Sequence, residues 1–191
     1  MKRLFKVNEE EIFESPRMKA VKVTYADKRG NEVLTHTVIR SNPSVAILVF
    51  DERKRVALIQ QFRSATGQIY VELPAGVINP GETEEEAAAR ETLEETGLIV
   101  KEVHSLVKGP SVLDPSKSDE NYGVAVATVE ARSSPKLDDE EQIDSKIIWM
   151  EEKEVFKRVK AQMFKGEPFN EGLFMSGHSL YAIMAYMMSK M

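Results

Sequence analysis

Residues 76–98 read Gly76-Val-Ile-Asn-Pro-Gly-Glu-Thr-Glu-Glu-Glu-Ala-Ala-Ala-Arg-Glu-Thr-Leu-Glu-Glu-Thr-Gly-Leu98, with seven glutamates and a single arginine. Thr83 followed by Glu86 has the spacing of a capping box, the run behind it is rich in strong helix formers, and Gly97 suits the residue that ends a helix. The pattern predicts a helix over residues 83–96. At 3.6 residues per turn Glu91, Glu94 and Glu95 then share one face, with Ala89 and Leu93 opposite. Like charges three and four residues apart repel, so a helix serving only as scaffold gains nothing from stacking them. Such a face is built to meet something cationic.

Working outward, 191 residues can bury one substantial core, or one domain with an appendage. Hydrophobic residues at 42% and charged residues at 30% are ordinary for a globular chain and argue against disorder. No apolar run approaches the roughly 18 residues a spanning helix needs, so no membrane partner is expected. The N-terminus meets Glu9, Glu10 and Glu11 before an apolar segment develops, which does not read as a secretory signal. With no cysteine at all, the expected address is the cytoplasm, and thiolate metal sites and thiol nucleophiles are excluded. A net charge of −5, from 26 basic and 31 acidic side chains, disfavours nucleic acid as a partner. His36, His104 and His178 have no metal-ligand spacing, so a metal here must be held by oxygen, which selects Mg²⁺ or, as a substitute, Mn²⁺.

The chain is expected to be α/β (α+β), in two parts. Residues 1–44 read as an antiparallel β-hairpin extension, with strands at 21–25 and 32–39 about a turn at 27–31. Two strands alone are marginal in water and must pack on the body of the chain or on a second copy. Residues 45–191 form the main domain, with strands near 44–50, 55–61, 70–74, 99–107, 122–130 and 147–150. Amphipathic helices are expected at 151–165, through Val155, Phe156, Val159 and Met163, and at 179–190, through Leu180, Ile183, Met184, Met187 and Met188. The methionine stripe reads as core or subunit seam.

Gly76, Glu82, Arg90-Glu91, Glu94-Glu95 and Gly97 resemble the box of the Nudix hydrolases, G-x5-E-x7-R-E-U-x-E-E-x-G-U, at every fixed position. The single departure is Thr92, where the pattern has an aliphatic residue; a threonine there can bury its methyl and return its hydroxyl to the preceding turn. The resemblance implies a mixed sheet sandwiched between helices. It also implies that Glu91, Glu94, Glu95 and the backbone carbonyl of Ala75 hold Mg²⁺, with Gly76 letting the loop approach the ions. Glu82 and Arg90 would brace the loop against the helix.

Outside the box the sequence is similar to the ADP-ribose pyrophosphatase-like branch. Gln60-Gln61-Phe62-Arg63 resembles its strand-end element and makes Arg63 the diphosphate ligand; Glu72-Leu73-Pro74-Ala75-Gly76 matches its entry to the box. The segment from Pro115 to Glu120 keeps that branch's proline-to-glutamate spacing, with Ser116 in place of glycine, and Glu120 becomes a substrate-binding candidate. For the catalytic base the acidic loop offers Glu141, then Glu140 and Asp139, with Glu94 also in reach of the chemistry. Phe13 and Tyr25 are the aromatics that could stack on a nucleobase, and His36 stands where relatives often carry an arginine.

The resemblance thus implies a Mg²⁺-dependent enzyme that hydrolyses a nucleoside diphosphate sugar, ADP-ribose first, and the hairpin without a core of its own together with the methionine-rich final helix points to a homodimer. GDP-mannose or another sugar nucleotide is the close alternative, and a module that binds ADP-ribose without cleaving it is the alternative of a different class.

Overall fold

The computed structural model describes residues 3–15, 18–107, 111–136 and 145–191. Among these the chain forms ten strands and three helices, and it divides into two compact units. One contains the N-terminal sheet together with residues 111–122; the other contains the remainder of the described chain from Ser44 onward.

The larger unit is a mixed seven-stranded sheet between helices. Its central path runs β10(Lys146–Glu151), β5(Arg55–Arg63), β4(Ser44–Phe50), β9(Tyr122–Arg132) and β8(Leu98–Ser105). Two short strands attach to it, β6(Gln68–Glu72) on β5 and β7(Ala75–Val77) on β4. Strand side chains alternate between faces, and β4 is apolar on both. Ala46, Leu48 and Phe50 join Val155 and Val159 of α2(Glu152–Lys165) and Ala182, Ile183 and Tyr186 of α3(Gly177–Ser189). Val45, Ile47 and Val49 join Ala87 and Ala88 of α1(Glu84–Thr96) on the opposite side. The acidic helix therefore has one face of the sheet to itself among the described helices.

In the smaller unit the order is β1(Phe5–Glu14), β2(Lys19–Ala26), β3(Glu32–Arg40), all antiparallel. The expected hairpin is present as β2 and β3, but a third strand, β1, pairs with β2. The run Asn8-Glu-Glu-Glu lacks apolar alternation, and all ten residues of β1 are exposed, so burial left no pattern to read. On the other edge, Ile39 exchanges backbone hydrogen bonds with residues 117 and 119: Ile39 N donates to Lys117 O at 2.7 Å and Asp119 N to Ile39 O at 3.3 Å. Arg40 Nη1 donates to Asp119 Oδ2 at 2.8 Å, so the segment expected to carry Glu120 is tied to this sheet.

On α1 the buried residues are Ala87, Ala88, Thr92, Glu95 and Thr96, while Ala89 and Leu93 are only partly covered. On α3, Ile183 and Tyr186 are buried in the core while Met184 and Met188 are exposed.

Candidate active site

The capping box is complete. Glu86 N donates to Thr83 Oγ1 at 3.2 Å, and Thr83 N donates to Glu86 Oε2 at 2.8 Å, closing the first turn of α1. A cap of this kind is worth about 1 kcal/mol. At the other end Gly97 has φ +68° and sends its N–H to Leu93 O at 2.9 Å. A Cβ there would also meet the Ser133 carbonyl, so glycine is required twice over. Thr92 Oγ1 donates to Ala88 O at 2.7 Å, which satisfies its hydroxyl inside the core.

Arg90 gathers the box. Its Nε and Nη2 donate to the two oxygens of Glu82, each at 2.8 Å, and Nη2 also reaches Val77 O at 2.8 Å. Nη1 donates to Glu91 Oε1 at 2.6 Å and to Glu94 Oε2 at 3.0 Å. Loop, strand β7 and helix are therefore fixed to one guanidinium. Asn79 N adds a bond to Glu82 Oε2 at 3.0 Å. The Arg90 hydrogen bonds hold the Glu82 carboxyl well below its ordinary 4.5, at about 2. The guanidinium pKa is pushed up in return, chiefly by Glu82.

Gly76 and Glu91 are in close apposition, and a Cβ on residue 76 would fall inside the Glu91 carboxyl group. Ala75 pairs with Ala46 on β4, and its N–H donates to Glu95 Oε2 at 3.0 Å. That bond corrects the exposed position expected for Glu95, which is 5% exposed because its carboxylate turns toward the loop backbone. Glu94 keeps the open position, with 40% of its side chain accessible.

Arg63 is paired across the β5–β6 ladder with Glu72. Its Nε donates to Glu72 Oε2 at 3.1 Å, and Nη2 donates to the same oxygen. Glu72 is buried, and three residues later the chain reaches Ala75. Gln61 stands on the same strand face as Arg63, opposite Tyr70. Sequence reasoning assigned no role to Glu72; a glutamate between Val71 and Leu73 becomes legible only once its cross-strand register is known.

Phe13, Tyr25 and Glu120 belong to the smaller unit. Phe13 is exposed on β1 and Tyr25 half-buried on β2. Glu120 is hydrogen-bonded to Tyr122, a partner that sequence reasoning missed; burial first, then this carboxylate, pushes the phenol pKa up. His36 Nε2 lies 3.3 Å from Ser116 O. Asp139, Glu140 and Glu141 lie outside the described residues.

For a metal the donors on offer are carboxylate and carbonyl oxygens, the chemistry of a hard divalent cation. The glycine at 76, which lets the backbone meet Glu91, suits that use. Among the described residues no group of three acidic or histidine side chains is arranged to hold an ion, because Glu91 and Glu94 are turned onto Arg90 and Glu95 onto the Ala75 amide.

The larger unit is thus a sheet between helices with a braced acidic helix on one face. A family model described as NUDIX domain matches residues 40–171, and the chain belongs to that family. It is 34% identical over 100 residues to the ADP-ribose pyrophosphatase of Mycobacterium tuberculosis, covering 52% of this chain and 47% of that protein. It is 37% identical over 100 residues to the ADP-sugar pyrophosphatase of Mus musculus, covering 47% and 46%. To the methanol dehydrogenase activator of Bacillus methanolicus it is 25% identical over 140 residues, covering 72% and 74%. The match spans about half the length of the two pyrophosphatases.

Proposed function

We propose that this chain hydrolyses the diphosphate bond of a nucleoside diphosphate sugar, with ADP-ribose, split to AMP and ribose 5-phosphate, as its foremost substrate. The observation that carries this reading is the gathering of Glu82, Glu91 and Glu94 on Arg90, with Glu91 against the Gly76 backbone and Glu95 on the adjoining Ala75 amide, in a NUDIX-family chain. Relatives described as ADP-ribose and ADP-sugar pyrophosphatases support the substrate class.

In the reaction a water oxygen bonds to one phosphorus as the bridging P–O bond breaks, and the water's proton passes to a carboxylate. Glu141 is the first choice for that base, with Glu140, Asp139 and Glu94 as the other candidates. Mg²⁺, with Mn²⁺ as substitute, would be held by Glu91, Glu94, Glu95 and the Ala75 carbonyl, and would screen the diphosphate and acidify the water. Arg63 binds the diphosphate, and Arg90 with Glu82 keeps the loop at the helix. Glu120 contacts the substrate, while Phe13 or Tyr25 stacks on the base.

Another sugar nucleotide such as GDP-mannose is the second reading, favoured by Ser116 and His36, which stand in place of the glycine and arginine of the resembled branch. We also place the enzyme in the cytoplasm as a homodimer. Phe5, Val7, Ile12 and Phe13, all exposed on β1, supply an apolar surface for a second copy. A monomeric mass at micromolar concentration would contradict the dimer.

Incubation with Mg²⁺ and a panel of ADP-ribose, ADP-glucose, GDP-mannose, UDP-glucose, NADH and diadenosine polyphosphates, with the products identified, tests the assignment. AMP and ribose 5-phosphate from ADP-ribose are expected. Binding of ADP-ribose without turnover would establish the non-hydrolysing alternative. Glu95→Gln should lower kcat by about 100-fold or more with the thermal midpoint nearly unchanged, since the amide can still accept the Ala75 N–H. Near-normal turnover of that variant at saturating Mg²⁺ would sink the proposal.

A further inference from the structure

The outward face of α2 takes part in nothing described so far. Val155 and Val159, at 0% and 1% exposed, bury the inner face in the core. At 3.6 residues per turn Lys153, Lys157, Lys160 and Phe164 fall within an arc of about 60° on the opposite side. All four are exposed, Phe164 by 80%, and Lys165 stands next to them. Phe156 and Ala161, partly covered, lie among these lysines in an open groove. Four lysines thus line the groove against a single acid, Glu167, which is 3.7 Å from Lys165. Glu154 stands on the flank, where it accepts from Arg158 Nε at 2.8 Å and meets Lys157 Nζ at 3.3 Å.

Helix faces that serve only to be solvated interleave the two signs of charge. This stripe carries one sign, on a chain whose net charge is −5, and adds a phenyl ring left largely in water. Lysine stems cover apolar surface while their heads stay hydrated, so lysines and rings together make an apolar strip topped by cations. The composition narrows the partner. Fixed carboxylates or phosphates are best met by the planar fork of arginine, and the cores of protein–protein interfaces are depleted in lysine. The single arginine of α2, Arg158, is committed on the flank to Glu154, Phe169 O and Asn170. Hydrated point charges on flexible stems suit a fluid layer of anions, and a projecting ring suits a surface it can enter. Met163, 41% exposed, extends that projection.

We propose that the outer face of α2 is a peripheral docking surface for an anionic lipid bilayer, with the lysine heads among the headgroups and Phe164 at the boundary with the acyl chains. Among the described residues no helix is long and apolar enough to cross a membrane, so the contact is made from outside. The expectation of no membrane partner concerned spanning segments alone. The surface uses none of the candidate catalytic residues, and vesicle binding by an inactive chain would leave it standing.

Sedimentation of the full chain with vesicles tests it. Partitioning onto phosphatidylcholine vesicles with about 30% phosphatidylserine is expected, with little onto phosphatidylcholine alone and a loss as salt rises from about 0.05 to 0.5 M. Lys153→Gln, Lys157→Gln and Lys160→Gln combined should lower the partition coefficient about 100-fold, roughly fivefold for each lysine. Phe164→Ser should lower it about tenfold. All four positions are exposed, so thermal midpoints should match wild type within about 1 °C. Lys22, Lys28 and Lys101 are exposed elsewhere, and changing all three to Gln should leave partitioning within about twofold, which separates the stripe from net charge. Equal binding to both kinds of vesicle, binding to neither, or an equal loss in the control variant would overturn the proposal. So would tighter binding of oligothymidylate or of a polyglutamate peptide than of the anionic vesicles.

Discussion

Two arginine–glutamate pairs stand on either side of Gly76 in the sequence, and their guanidinium groups are bonded in different ways. Arg90 grips both oxygens of Glu82 and extends to Val77, Glu91 and Glu94, so its donors are spread over a loop, a strand and a helix. Arg63 meets Glu72 at one oxygen, between two adjacent strands that the ladder already holds together. In the first pair the ion contact is what fixes the backbone. In the second the strand ladder already fixes the backbone, so the ion contact holds side chains together and no loop. On the proposed function the first pair is a brace and the second carries the binding arm.

Kinetics should separate them. Arg63→Met is expected to raise KM about 100-fold with kcat within about threefold, the loss of a charge-assisted contact to a bound phosphate. It also strands Glu72, a buried carboxylate, so stability should fall by about 3 kcal/mol in urea titration. Adding Glu72→Gln should recover most of that stability and none of the binding. Recovery of KM as well would make Arg63 a structural residue and erase the distinction.

Arg90→Lys keeps the charge and loses the fork, and should show the opposite signature. A fall in kcat of about tenfold, KM within about threefold and a stability loss of about 1–2 kcal/mol are expected. A KM-dominated defect would mean that Arg90 touches substrate.

The smallest effect concerns acid. Glu82 ionises at about 2 in the folded chain against the ordinary 4.5, so the folded state binds its proton less readily than the unfolded one. Its contribution is complete above pH 4.5 and is lost as pH falls toward about 2. Urea titrations from pH 6 down to about 2.5 should show wild type losing its advantage over Glu82→Gln across that window. Parallel curves would mean that the pair does little to hold the loop.

The helix was legible in the sequence because its signals are local, a cap at fixed spacing, a glycine stop and a pattern of charges along one turn after another, whereas its brace of Glu82 and Arg90 was legible only through the family resemblance. The central strands were legible for a similar reason, since β4 is apolar without interruption. Three features were not. β1 has no buried residue to impose a period. The burial of Glu95 and of Glu72 depends on partners brought by strand register and by the β7 loop. The attachment of residues 116–119 to β3 joins positions about 80 residues apart, through backbone bonds that any side chains could make. Thr92 is buried with its hydroxyl bonded to Ala88 O, as the departure from an aliphatic residue there allowed, and Thr96 repeats the device one turn later on Thr92 O.

Ala75 is both the strand partner of Ala46 and the amide that holds Glu95. The inner wall of the proposed site is therefore the edge of the sheet itself, with no loop between them to absorb error. Ala46 packs in the cluster lined by α2 and α3, on the far face from the acidic helix. Any substitution that thickens that distant layer would be transmitted along the β4–β7 ladder as a displacement of the very backbone the glutamates must meet. Turnover would then register the quality of core packing before folding did.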